Sequence, residues 1–317
     1  MLGPHGAGAP LNQGSDIMAT RSRGFLAGFG WLKRGIGVSI RHPKPALGGA
    51  AFLMLAVLGV TLIMLPMEFY LLRSSTPPSA ASFGLIMVVS MLLGLLVLPL
   101  YAGYLQVIAA AEAGLSARAG DIIKPYREGK VLRLIGYGIA MTLVYIALFG
   151  LIIALRGNGI TDWYMQALTA QANHLPPPTT LPDGFGMTML LTFLLGIFMI
   201  GFYSIGLGQV ALHDRGVVGA IGDGVVGAMK NLLPLLMLAV CGLLAWIAMS
   251  ICIGIAAMVI ILLGKLISQW LALVLLVPLY VALFLVVFAA MFGVIYHIWR
   301  DICGDDVAMD AAEVIVA

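Results

Sequence analysis

Long apolar stretches recur along the chain, separated by short segments in which charge, glycine and proline collect. The clearest stretch is Leu232–Ile298, where Lys265 is the only formal charge. Eighteen or more uncharged apolar residues in a row read as a membrane span. This block therefore predicts two helices, Leu232–Leu263 and Leu266–Ile298, meeting at a turn at Gly264–Lys265, with Pro278 kinking the second. Four further spans are expected at about 46–70, 83–111 (with Pro99 as a kink), 131–155 and 187–212. The predicted fold is all-α: a polytopic transmembrane bundle of six spans over residues 24–300, with interfacial entry helices.

The segments ahead of the spans carry their own pattern. In Gly24–Arg41, Phe25, Phe29, Leu32, Ile36 and Ile40 fall on one helical face, with Arg34 and Arg41 opposite. That predicts a helix lying on the bilayer with Trp31 at headgroup depth. Five glycines weaken it, so membrane or protein contact has to hold it, and His42-Pro43-Lys44-Pro45 ends it. A second entry segment lies in Gly114–Lys130, with Asp121 as a cap and Pro125 in the first turn. The third is His213–Asn231, capped by Asp214 or Asp223, with Pro234 just inside the following span. Asp162–His174 reads as an interfacial helix carrying Trp163 and Tyr164, stopped by Pro176-Pro177-Pro178. Residues 1–23 read as a disordered polar leader without a signal peptide, with Met18 an alternative start; 301–317 read as an acidic tail.

Charge gives the topology. Fourteen Lys and Arg residues fall on one side of a six-span arrangement, and only Arg73, Arg156 and Lys265 on the other. By the positive-inside rule both termini are cytoplasmic. The chain also repeats: Leu98-Pro99-Leu100-Tyr101 in the second span answers Val277-Pro278-Leu279-Tyr280 in the sixth. Gly35, Arg41 and Pro45 answer Gly224, Lys230 and Pro234. Two spans per unit imply parallel rather than inverted repeats.

Composition narrows the function. The chain is 62% hydrophobic and 10% charged, against about 25% charged in a soluble domain. There is no room for a soluble catalytic domain, and continuous apolar runs exclude a β-barrel. Three cysteines offer no disulfide framework. Ionisable residues inside the spans usually mark coupled transport or proton relays. Here Glu68 and Glu112 sit at span ends. Ser204 and His297 superficially suit an intramembrane serine protease, but Gly201-Phe202-Tyr203-Ser204-Ile205-Gly206 lacks the local pattern of such enzymes. His213-Asp214 and the tail acids match no metal-ligand spacing, and Gly216–Gly227 lacks the ending of a phosphate loop. The pairs Ser90/Gly94, Ser204/Gly208, Ala248/Cys252 and Ser250/Gly254 read as helix-packing contacts.

Gly30-Trp31-Leu32-Lys33-Arg34-Gly35 running into Arg41-His42-Pro43, with Leu98-Pro99-Leu100-Tyr101, Gly120-Asp121-Ile122 and Gly222-Asp223, carries a resemblance. Over about Gly24–Arg300 the chain resembles uncharacterised bacterial six-span inner-membrane proteins. Distantly it resembles the membrane domain of some glycerophosphodiester phosphodiesterases. The resemblance implies a polytopic bundle with amphipathic entry helices, and it carries no catalytic residues across.

The expected function is that of a non-enzymatic bacterial inner-membrane protein binding membrane lipids or another membrane protein, without cofactor, metal or nucleic acid. Arg34, Arg41, Lys124, Arg127 and Lys130 are the candidates for lipid headgroups. The alternative is a transporter of a neutral or amphipathic substrate. Its moving parts would be the spans kinked at Pro99 and Pro278, lined by Tyr101, Gln106 and Tyr280.

Overall fold

The computed structural model describes residues 20–73, 80–156, 158–173 and 175–304. They form helices α1 (Ala27–Arg41), α2 (Pro43–Arg73) and α3 (Ala80–Glu112), then a 3-10 turn (Ala119–Ile123) running into α4 (Lys124–Arg127). There follow α5 (Val131–Arg156), α6 (Asn158–Ala172), α7 (Phe185–Leu212), α8 (Val217–Lys230), α9 (Leu232–Leu266) and α10 (Gln269–Cys303). Six of them, α2, α3, α5, α7, α9 and α10, are long and apolar enough to cross a membrane. No strand occurs among the described residues.

The observed ends explain themselves. Pro43 and Pro45 both lie in the first turn of α2, where a missing N–H costs nothing, so only His42 separates α1 from the first span. The turn expected at Gly264–Lys265 falls inside α9, where Gly264 packs against Ala272 of α10. The break comes at Ile267–Ser268 instead, and the Ser268 hydroxyl caps α10 by accepting from the Trp270 amide at 3.3 Å. Pro99 and Pro278 lie within uninterrupted helices, as does Pro66 in α2.

Three hairpins, α2–α3, α5–α7 and α9–α10, follow one plan. Each is preceded by a short entry segment, and each entry segment lies across the hairpin before it. The 3-10 turn and α4 pack on α3, α8 packs on α7, and α1 closes the ring on α10 and α9. The second helices, α3, α7 and α10, touch one another pairwise in the middle. The first helices follow suit, with α2 against α10, α5 against α3 and α9 against α7. The two-unit repeat legible in the sequence is thus part of a three-unit arrangement.

Burial is concentrated at the end where the entry segments lie. Trp31, Val38, Ala50, Tyr104, Tyr137, Phe202, Leu235 and Phe292 are all fully or almost fully enclosed there. Toward the opposite ends the helices leave leucine and isoleucine outward, among them Leu62, Leu143, Leu194, Ile251 and Leu273. In a lipid solvent such surface needs no cover.

The glycines of α1 act as contacts. A Cβ on Gly28 would collide with the Pro234 carbonyl of α9, and one on Gly35 would stand 2.7 Å from the Val294 amide of α10. Backbone meets backbone there because neither residue has a side chain. α1 therefore buries its glycine and tryptophan face on the bundle. Phe25, Phe29, Ile36 and Ile40 remain exposed, as expected of a face turned to lipid.

Trp31, expected at headgroup depth, is fully buried in the bundle and fills the gap between two glycine contacts. Residues 20–23, expected to be disordered, run along the joint between α8 and α9. The Arg21 amide donates to Ile302 O at 3.0 Å, the Arg23 amide to Asn231 Oδ1 at 2.8 Å, and Lys230 Nζ to Thr20 O at 3.0 Å. Likewise 301–303 of the expected tail belong to α10. Residues 1–19 and 305–317, with Met18 and the remaining tail acids, lie outside the described residues.

Candidate functional site

A layer of ion pairs caps the packed end and uses up most of the cations singled out in the sequence. Arg34 pairs with Asp301 at the end of α10, and Asp301 also accepts the Trp31 indole N–H at 2.9 Å. Arg41 Nη2 lies 2.8 Å from Glu112, whose carboxylate faces His42 at 3.4 Å and the buried His297 at 3.6 Å. Lys130 bridges Asp214 at 3.0 Å and Glu128 at 3.1 Å, Arg133 pairs with Asp214, and Lys124 stands 3.5 Å from Glu128. Of the five headgroup candidates only Arg127 is exposed without an ion pair among the described residues. Lys33, Lys44 and Arg118 share that state.

Hydrogen bonds from Lys130 and Arg133 hold the Asp214 carboxyl below its ordinary pKa, and Lys130 does the same for Glu128. Lys130 is raised in turn, chiefly by Asp214. Neither Asp214 nor Asp223 caps α8; Gly216 stands at that position. Asp214 adopts a left-handed backbone, φ 54°, so its carboxylate reaches the start of α5. Asp223 is buried in mid-helix, 3.0 Å from Gln209 Nε2 and 3.2 Å from Arg215 Nε. Burial raises its pKa against those two partners. Asp121 likewise sits inside its turn, accepting from the Arg118 amide at 2.8 Å, while Pro125 occupies the first turn of α4.

Below this layer lie apolar clefts. The central one, about 650 Å³, is bounded by α1, α3, α7, α9 and α10 and lined by Leu32, Tyr101, Tyr203, Gly242, Phe288 and Phe292 among others. A groove of about 510 Å³ runs between α1 and α9, lined by Phe29, Leu32, Ile36 and Leu244, with Lys33 among its walls. Leu32 belongs to both. A third cavity, about 360 Å³, lies between α3, α5 and α7 and shares Tyr101 and Tyr203 with the central cleft. All three fall within the range of small-molecule sites, roughly 300–1,000 Å³.

No family model, curated protein or solved structure matches the chain. What the site does has to be read from its own geometry.

Several expected contacts take other forms. Ser204 donates its hydroxyl to Ile200 O at 2.6 Å, and the ring nitrogens of His297 have no hydrogen-bond partner among the described residues, so Ser204 and His297 are not joined as a dyad. Gln106 is a tie between helices, with Nε2 donating to Ala211 O at 2.8 Å, and Tyr280 faces outward. Gly208 packs under Trp299, as its small-residue spacing suggests. By contrast Gly94 and Gly254 face open space, and Ala248, Ser250 and Cys252 lie on the exposed side of α9. Lys33 and Tyr203 stand in motifs quoted from the sequence but are not picked out there as site residues. Lys33 carries the signal of a cation next to Leu32 on the apolar face of α1. Tyr203 differs in no sequence pattern from the other aromatic residues of the spans.

Proposed function

We propose that the protein is a non-enzymatic lipid-binding protein of the bacterial inner membrane, with the ion-paired end and both termini at the cytoplasmic face. The observation that carries this reading is the pairing of two apolar grooves on either side of Leu32 with the exposed cation Lys33 beside them. Two hydrocarbon channels flanking one positive charge suit a diacyl lipid with an anionic headgroup. The Lys33 stem can lie along the groove while its ammonium reaches the phosphate. Arg127, Lys44 and Arg118 add exposed charge at the same end. Arg34, Arg41 and Lys130 serve first to join helices. The resemblance to six-span inner-membrane proteins agrees with this reading.

The test is native mass spectrometry of purified protein exposed to equal amounts of phosphatidylglycerol and phosphatidylcholine. The wild type retains the anionic lipid preferentially. Lys33→Glu reduces that preference about fivefold or more, from about 1 kcal/mol per cation near a charged surface. Equal retention of both lipids by the wild type would remove the reading.

A second reading, carriage of a neutral or amphipathic substrate, draws on the two tyrosines shared by the central cleft and the α3–α5–α7 cavity. It requires flux across proteoliposomes that falls in Pro99→Ala or Pro278→Ala.

A further inference from the structure

Tyr101 and Tyr203, half-buried on the cleft wall, differ from the fully buried Tyr104 and Tyr137. Tyr104 donates to Ala46 O at 2.6 Å and Tyr137 to Tyr203 O at 3.4 Å, so both spend their hydroxyls on backbone. No hydrogen bond reaches the hydroxyl of Tyr101 or Tyr203 among the described residues, and both rings line the central cleft. They also lie deep. Tyr101 stands about 16 Å along α3 from Glu112, and Tyr203 about 15 Å along α7 from His213, at ~1.5 Å per residue. That is about half of a ~30 Å hydrocarbon core. A hydroxyl without a partner at that depth is costly, because lipid tails accept no hydrogen bond.

The rest of the lining says what would satisfy them. The cleft wall contains no Lys, Arg, His, Asp or Glu, which disfavours a charged ligand. It is rich in aromatic rings: Tyr101 packs against Phe292 with centroids 5.7 Å apart, and Phe292 against Phe288 at 6.3 Å. Such walls favour a flat conjugated ring. A plain acyl chain would fill the volume and leave both phenols unpaired. A phospholipid ester would carry its acceptors at the interface, far above them.

We infer that the central cleft is a binding site for a lipid-soluble quinone. Its ring lies among Tyr101, Tyr203, Phe288 and Phe292, its carbonyl oxygens accept from the two phenols, and its apolar tail leaves the cleft toward lipid. The site does not depend on Lys33, and a quinone in it displaces the acyl chain that the phospholipid reading places in the same cleft.

The test is equilibrium binding of a benzoquinone bearing a decyl tail to the full chain in detergent, beside decylbenzene, which lacks the carbonyls. The wild type binds the quinone saturably, one per chain, and more tightly than decylbenzene. Tyr101→Phe and Tyr203→Phe each weaken quinone binding about three- to tenfold, the range of one lost hydrogen bond. They leave decylbenzene unchanged, and unaltered thermal melting confirms that both variants fold. Gly242→Phe, which projects into open space in the cleft wall, blocks both ligands. Absence of saturable quinone binding overturns the inference. So does equal binding of the two ligands, or quinone binding indifferent to both phenylalanine variants. In each of those cases the retention of phosphatidylglycerol still judges the lipid reading by itself.

Discussion

The indole nitrogen of Trp31 donates to Asp301 Oδ2 at 2.9 Å, joining the first helix of the chain to the last turn of its last span. The same carboxylate pairs with Arg34, and its backbone carbonyl accepts from Arg23 Nε at 2.6 Å. Asp301 is thus where the leader, α1 and α10 meet, and through it the ring of entry segments closes.

Removing that carboxylate strands two donors, one of them on a buried ring. Asp301→Ala is expected to destabilise the folded protein by about 1–3 kcal/mol, the cost of unsatisfied buried groups. Trp31→Phe, which deletes the donor and leaves an aromatic ring, costs less. Thermal melting in detergent, followed by circular dichroism, ranks the two; the reverse order would show that the indole fills space and little more.

The seat of α1 depends on backbone approach at Gly28 and Gly35. Gly35→Val has no room beside the Val294 amide, so α1 has to lift from α10, whereas Gly30→Val points into open space. Overpacking of this kind costs roughly 1–3 kcal/mol. Hydrogen exchange over 27–41 should therefore speed up in Gly35→Val and stay close to the wild type in Gly30→Val. A uniform response of both variants would place the effect in helix propensity instead.

The six spans were legible because each is an unbroken apolar run, and all six appear within a few residues of the expected limits. The entry helices were legible as amphipathic segments, but which face they bury was not. In α1 the stripe Phe25, Phe29, Ile36, Ile40 stays exposed as expected of a lipid-facing side, but the sequence did not mark Gly28, Trp31, Gly35 and Val38 as the face enclosed by the bundle. Hydropathy does not mark backbone-to-backbone packing, which selects small residues. The third unit of the repeat was hidden for a similar reason. Its entry segment is only a 3-10 turn and one helical turn, pressed against Gly103 of α3. The ion pairs escaped because Asp214 and Glu112 find their cations across distances in sequence that no spacing rule reports.

The bridge from α5 to the joint after α7 should respond to pH with a definite sign. Asp214 and Glu128 are held below their ordinary values of 3.8 and 4.5. Their contribution is therefore complete above those values and is lost as pH falls through the lowered ones. Lys130, raised above 10.5, contributes below that value and loses its effect as pH climbs through its raised one. Because the Asp214 side chain is 57% exposed, solvent screening limits each pair to about 0.2–1 kcal/mol. Melting temperature measured from pH 3 to 7 should show an acid limb that is shallower in Asp214→Asn; identical limbs would place the acid sensitivity elsewhere.

Asp214 also separates backbone strain from charge. At φ 54° it occupies the region that glycine visits freely, and a residue with a Cβ pays about 1–2 kcal/mol to remain there. Asp214→Gly and Asp214→Ala both delete the ion pairs with Lys130 and Arg133, yet only glycine relieves the conformation. The glycine variant should therefore melt higher than the alanine variant, by an amount equivalent to about 1 kcal/mol. Where the loss of the bridge matches the relief, it also equals the wild type, because a surface pair contributes only about 0.2–1 kcal/mol. An alanine variant as stable as the glycine one would mean that the joint between α7 and α8 relaxes once the carboxylate is gone, and that the ion pairs impose the left-handed turn.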